Sequence, residues 1–252
     1  MKQAIRVLLL VLVILVGFFY SAFYISFNLR GPNNFVNNTF RKKFISSYLL
    51  RKTFKLNQVG DARFDYAKDK QFSKMKIGAY YQDGEQLTPG TIQTVIQNLG
   101  GIIEKPGGVI VEEPITIGGV GDAWDDESLR QLVQKHPGQS SLSEKTAALQ
   151  IFVLSRYAVI PTYAGLVKDA NNIFVFMEPV KDVSNEQRST RNMEVSTILH
   201  EFAHLLGAEH VDKDDCILSE KVENITSFGL VPVITTKYCE SDLETIKTAC
   251  SF

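Results

Sequence analysis

Cysteine is scarce in this chain of 252 residues: there are 3, and the first is Cys216. So few thiols exclude a small scaffold held together by disulfides, and the lack of a Gly-X-Y period excludes a collagen-like rod. No internal repeat, low-complexity segment or acidic disordered tail is present. The glycines at 118, 119 and 121 have neither the lysine nor the spacing of a phosphate loop and are expected to form an ordinary loop. Charge is missing altogether from Val7 to Phe27, twenty-one residues in a row. A helix of that length crosses the roughly 30 Å hydrocarbon core of a bilayer.

The overall figures, 44% hydrophobic, 22% charged and a formal net charge of -1, suit an ordinary globular domain. The near-neutral total is a cancellation. Between Asn28 and Lys76 there are twelve basic and three acidic residues, a net +9. With Lys2 and Arg6 also set aside, 13 basic and 25 acidic residues remain after Lys76, a net -12. An acidic domain is a poor partner for nucleic acid, whereas the basic segment suits an anionic membrane surface.

Four segments follow: a charged head at 1–6, a transmembrane helix or signal anchor at 7–27, a basic stem at 28–75, and a domain at 76–252. The apolar run is longer than a usual signal core and ends in aromatic rings (Phe18, Phe19, Tyr20, Phe23, Tyr24, Phe27) suited to the headgroup level. Only Ser21-Ala22 approaches a cleavage site, which favours an uncleaved single span; cleavage would make the protein secreted. No cysteine near the span offers a lipid attachment point. Counting basic residues on either side would place the domain inside the cell, while the very short charged head is the layout of an exported domain and favours a domain outside the cytoplasm. Phe40 to Leu56 has the spacing of a basic amphipathic helix, lying on lipid headgroups or packed loosely as a stem. Asn37 and Asn224 begin glycosylation-type triplets, a pattern common by chance.

From Lys76 the pattern is α+β. Strands are expected over 76–82, 109–113, 149–154 and 172–177, and helices over 91–99, 125–135 and 193–206. Ser241 to Glu244 has the form of a capping box opening a C-terminal helix to about Ala249.

Three of the four histidines fall within His200-Glu201-Phe202-Ala203-His204-Leu205-Leu206-Gly207-Ala208-Glu209-His210. Residues four apart share a helix face, so His200 and His204 can present two imidazoles to one ion. Gly207 can take the left-handed conformation that ends the helix and lets His210 approach from the side. Three nitrogen ligands with one open position make a catalytic rather than a structural Zn2+ site, and Glu201 is placed to act on a metal-bound water. His136 stands apart and is expected to be structural. A carboxylate such as Glu220 or Glu223 is the rival third ligand, which Gly207 and His210 argue against.

This segment resembles the signature of the metzincin clan of zinc metallopeptidases, and within it the matrixin-like and archaemetzincin-like members. The resemblance implies a twisted mixed sheet, an active-site helix carrying the signature and a C-terminal helix. It also implies one catalytic zinc on His200, His204 and His210, Glu201 as general base, and a protein or peptide substrate. It covers roughly Lys76 to the C-terminus, but only about residues 193 to 220 are motif-specific. Leu218 falls where the family has the methionine of the turn beneath the zinc, a tolerable exchange of volume. Of the four cysteines that hold a second zinc in archaemetzincins, Val211 and Asp242 occupy two positions here, which argues against that second ion. No cysteine precedes Cys216, so the cysteine-switch propeptide of many matrixins is lacking. The resemblance also makes the strand at 172–177 the edge that pairs with an extended substrate.

In an oxidising compartment Cys216 and Cys239 can pair; three buried or free thiols are the alternative. The functional expectation is a membrane-tethered zinc endopeptidase with lipid contacts through residues 7–27 and through the stem. The alternative is a catalytically silent, zinc-stabilised binding module on the same tether.

Overall fold

The computed structural model describes residues 2–29, 34–119, 121, 123–184, 187–223 and 234–251. The chain forms two compact units, Met1–Asn57 and Gln58–Phe252.

The first unit contains α1 (Lys2–Asn28), a π-helical turn (Asn37–Arg41), α2 (Lys42–Ile45) and α3 (Tyr48–Thr53). Within α1 the stretch Ile5–Asn28 is long and apolar enough to cross a membrane, a property signal sequences share. Phe18, Phe19 and Tyr20 are exposed, but Phe23 and Phe27 are not free interfacial rings. Phe23 stacks on Phe44 at 5.1 Å and meets Phe40 edge-on at 5.7 Å, and both Phe23 and Phe27 pack against Phe54. The single amphipathic helix expected from Phe40 to Leu56 is instead broken at Ser46 and Ser47 so that its aromatics can reach this cluster. Asn37 is buried, its amide donating to the Ser26 carbonyl and its oxygen accepting from Arg41, which is no glycan-acceptor geometry.

The second unit begins earlier than charge alone indicated. Ala62, Phe64, Tyr66, Ala67 and Phe72 are buried, and α4 (Arg63–Ala67) lies here, so residues 58–75 belong to the domain and not to a solvated stem. The basic side chains between these apolar residues made the segment look like linker.

The sheet consists of β1 (Lys74–Gln82), β2 (Val109–Val111), β3 (Ile115–Ile117), β4 (Thr146–Leu154), β5 (Gly165–Val167) and β6 (Asn172–Phe176). Its order is β2-β1-β4-β6-β5, with β3 pairing farther along β1. All pairs are parallel except β5 with β6, so the sheet is mixed. Every residue of β4 is buried, as befits a central parallel strand covered on both faces. The strand at 172–176 is not an edge: β4 lies on one side of it and β5 on the other. β5 has only three residues, too few for an alternating pattern to reveal it, and it takes the edge position.

The remaining helices are α5 (Thr91–Leu99), α6 (Asp126–Lys135), α7 (Met177–Val183), α8 (Gln187–Leu205), α9 (Glu220–Glu223) and α10 (Glu240–Cys250). Helix α8 starts six residues before the expected 193, because the polar turn Gln187 to Asn192 carries no apolar period. From Met193 to Leu205 the helix is buried at every residue but His204. Glu194 in α8 is fully buried; its carboxylate accepts from the Thr88 amide and from both the Thr88 and Thr91 hydroxyls, joining α8 to the start of α5. The cap of α10 is Cys239 with Asp242 in the third helical position, not Ser241 with Glu244.

Candidate metal centre

Helix α8 places His200 and Glu201 inside the domain and His204 at its margin. The helix ends in a Schellman arrangement, with the Gly207 amide donating to His204 O at 2.8 Å and the Ala208 amide to Ala203 O at 3.0 Å. Gly207 has φ +81°, a conformation that favours glycine, and a Cβ there would lie 2.9 Å from Arg63 Nη1, the end of a side chain that would have to shift. The reversed chain carries His210 back over the helix.

The three Nε2 atoms converge: His204 to His200 is 3.0 Å, His204 to His210 3.2 Å, and His210 to His200 3.3 Å. Nitrogens bound about 2.0–2.1 Å from one tetrahedral centre lie about 3.3 Å apart, so the spacing fits a zinc-sized ion. Tautomers point the same way. His200 Nδ1 lies 2.7 Å from the Ile217 carbonyl and His204 Nδ1 2.8 Å from the Ala208 carbonyl. A carbonyl only accepts, so each Nδ1 carries the proton and each Nε2 presents its lone pair to the cluster. Lone pairs facing one another at this range call for a cation between them. Burial, reinforced by the neighbouring His204 and His210 rings, pushes the His200 pKa down to about 3, leaving the ring neutral and ready to ligate.

Glu201 is almost wholly buried next to His200. The start of the edge strand shapes its pocket: a Cβ on Gly165 would lie 2.5 Å from Glu201 Oε1 and 2.7 Å from Thr197 Cγ2. Sequence reasoning missed Gly165, because a lone glycine in a short strand carries no signal of its own. Glu220 Oε1 stands 3.7 Å from His210 Nδ1, behind the ring and on the side away from the converging nitrogens. The Glu223 side chain is outside the described part of the chain, as are Asn224 and the 229–233 segment expected to help wall the substrate pocket. His136 is remote from the cluster and packs on Tyr80, ring centroids 4.8 Å apart.

Beneath the histidines, Ile217 and Leu218 are fully buried in the turn after His210, whose closing bond runs from the Val211 amide to Leu218 O. Cys216 and Cys239 form a disulfide, so their sulfurs are not thiolate ligands. Tyr238 donates to Leu199 O at 2.6 Å; burial, with a smaller push from the Asp242 charge, raises its pKa and keeps it a donor.

No protein-family model matches the chain, and no curated protein matches it. The fold is shared with solved structures of low sequence identity. The solved archaemetzincin from Methanopyrus kandleri is similar over 70% of this chain and 96% of its own, with 13% identity and a TM-score of 0.53. The archaemetzincin from Archaeoglobus fulgidus has 11% identity over 68% of this chain and 99% of its own, with a TM-score of 0.44. For a zinc-dependent peptidase from Methanocorpusculum labreanum the values are 14%, 68%, 99% and 0.44. These three structures do not show the matrixin-like part of the resemblance.

Proposed function

We propose that the protein is a membrane-tethered zinc endopeptidase in which His200, His204 and His210 hold one zinc ion and Glu201 is the general base. The observation that carries this reading is the convergence of three imidazole nitrogens within 3.3 Å beside a buried carboxylate. The shared fold with a solved archaemetzincin supports it.

Zinc bound at such a site supplies a Lewis acid for the scissile carbonyl and an acidified water. The chain's own residues do the rest. Glu201, one position along the helix from His200, takes the proton from the attacking water and passes it to the departing amine. The outer edge of β5 lies beside Glu201 through Gly165, and among the described residues no strand pairs with it. An extended peptide adding to that edge by main-chain pairing would pass next to the histidines.

The apolar α1 supports a single-span tether. The Cys216–Cys239 disulfide supports a catalytic domain outside the cytoplasm, since such bonds persist in oxidising compartments. It outweighs the excess of basic residues after the span.

Incubating the full chain with a broad peptide library tests the proposal. Cleavage that stops on adding a zinc chelator and returns on adding zinc is the expected result. Tight zinc binding without cleavage of any library member would favour the silent binding module instead.

A further inference from the structure

Asp242 carries a fully buried carboxylate with no place in the reaction just described. Its Oδ2 accepts from the Ile217 amide at 2.9 Å and the Cys239 amide at 3.0 Å, and its Oδ1 accepts from the Leu218 amide at 3.1 Å. The bond from Cys239 belongs to the helix cap, and the bond from Ile217 ties that cap to the turn. The third has a further consequence, because the Leu218 N–H and the Ile217 C=O belong to one planar peptide group and point in opposite directions. The far end of that peptide is the carbonyl that accepts from His200 Nδ1.

We infer that Asp242 is a positioning residue for the metal ligand His200, acting through the 217–218 peptide as a carboxylate–peptide–histidine relay. Many metal-bound histidines donate directly to a carboxylate, which fixes the tautomer and raises ligand basicity. Here one amide group is interposed. A negative charge on the N–H side polarises the peptide and makes its carbonyl a stronger acceptor, and linked hydrogen bonds in a dry interior reinforce one another. His200, Ile217, Leu218 and Asp242 are each fully buried, so no water competes with any link. The disulfide beside it ties Cys216 of the turn to Cys239 of the cap, which holds the peptide and the carboxylate in register.

The inference rests on the zinc-site reading above, and its test separates the two. Zinc affinity of the full chain in mild detergent is measured by competition with a chromophoric chelator, for wild type and Asp242→Asn. The amide keeps the size of the carboxylate but loses its charge and one acceptor atom. The relay predicts zinc binding roughly 10- to 100-fold weaker in the variant. Failure of wild type to bind zinc would sink the zinc-site reading. Equal affinity in wild type and variant would overturn only the relay. A second measurement does not depend on the variant folding: selective nitrogen-15 labelling of histidine in the wild-type apo chain reads the His200 tautomer. A proton fixed on Nδ1 and protected from exchange is expected, and a ring protonated on Nε2 would overturn the relay. A role in capping alone would lower the thermal midpoint of Asp242→Asn while leaving its His200 Nδ1 proton resonance where it is in wild type.

Discussion

Gly165 leaves the space that Glu201 occupies, which makes one missing side chain a condition for placing the proposed base. In Gly165→Ala the new methyl group would have to displace either Glu201 or Thr197. Steady-state kinetics with metal analysis should show kcat reduced by roughly a hundredfold, the scale expected when a reacting group moves by about 1 Å, with zinc content unchanged. An unaltered kcat would mean that Glu201 is not held by this contact. Cys250 offers a second check at this scale. Under denaturing, non-reducing conditions thiol titration should find one thiol per chain, since Cys216 and Cys239 are joined. In the native chain Cys250 should alkylate slowly at neutral pH and faster as the solution becomes alkaline. Burial pushes its pKa up, outweighing the opposite pull of Arg63 and Lys68.

Among elements, the turn after His210 and the start of α10 behave as one piece, linked by a disulfide spanning 23 residues and by the three acceptor bonds of Asp242. Closing a loop of that size is worth about 3 kcal/mol in the chain-entropy picture. Cys239→Ser should therefore lower the thermal midpoint of the detergent-solubilised chain by roughly 10 °C, read by circular dichroism. An unchanged midpoint would show that the linkage adds nothing to stability. These elements also mark where sequence reading succeeds and where it stops. Helix α5 was legible to the residue because Ile92, Val95 and Leu99 repeat at helical spacing, and the meeting of His200, His204 and His210 because histidine, glycine and helix register coincide. The edge position came from the resemblance and fell on Asn172 to Phe176, because the true edge strand, Gly165 to Val167, is too short to be legible in the sequence. The α10 cap was misplaced because Ser241 is the usual capping residue, while Asp242 is committed to Ile217 and Leu218, a tertiary demand invisible locally.

At the scale of the whole molecule, a net +9 between Asn28 and Lys76 and a net -12 beyond it remain true as counts, but the structural boundary lies at 57/58. Part of the basic segment thus carries apolar side chains of the domain's own core, such as Phe64 and Tyr66. Charge patterning distinguishes solvated faces from apolar ones only where burial is already known, so it set the border too late. If α1 is an uncleaved span, the full chain should remain in the membrane pellet after alkaline carbonate extraction, detected by immunoblot at full length. Release of a shorter product would indicate a cleaved leader.

The central claim, that Glu201 performs proton transfer at a zinc centre built by three histidines, is tested most directly by the turnover of one cleaved peptide at matched zinc occupancy. With zinc content verified as equal in both proteins, Glu201→Gln should lose roughly 10²- to 10⁴-fold in kcat, the range a positioned general base contributes. Equal turnover by Glu201→Gln and wild type would contradict the account.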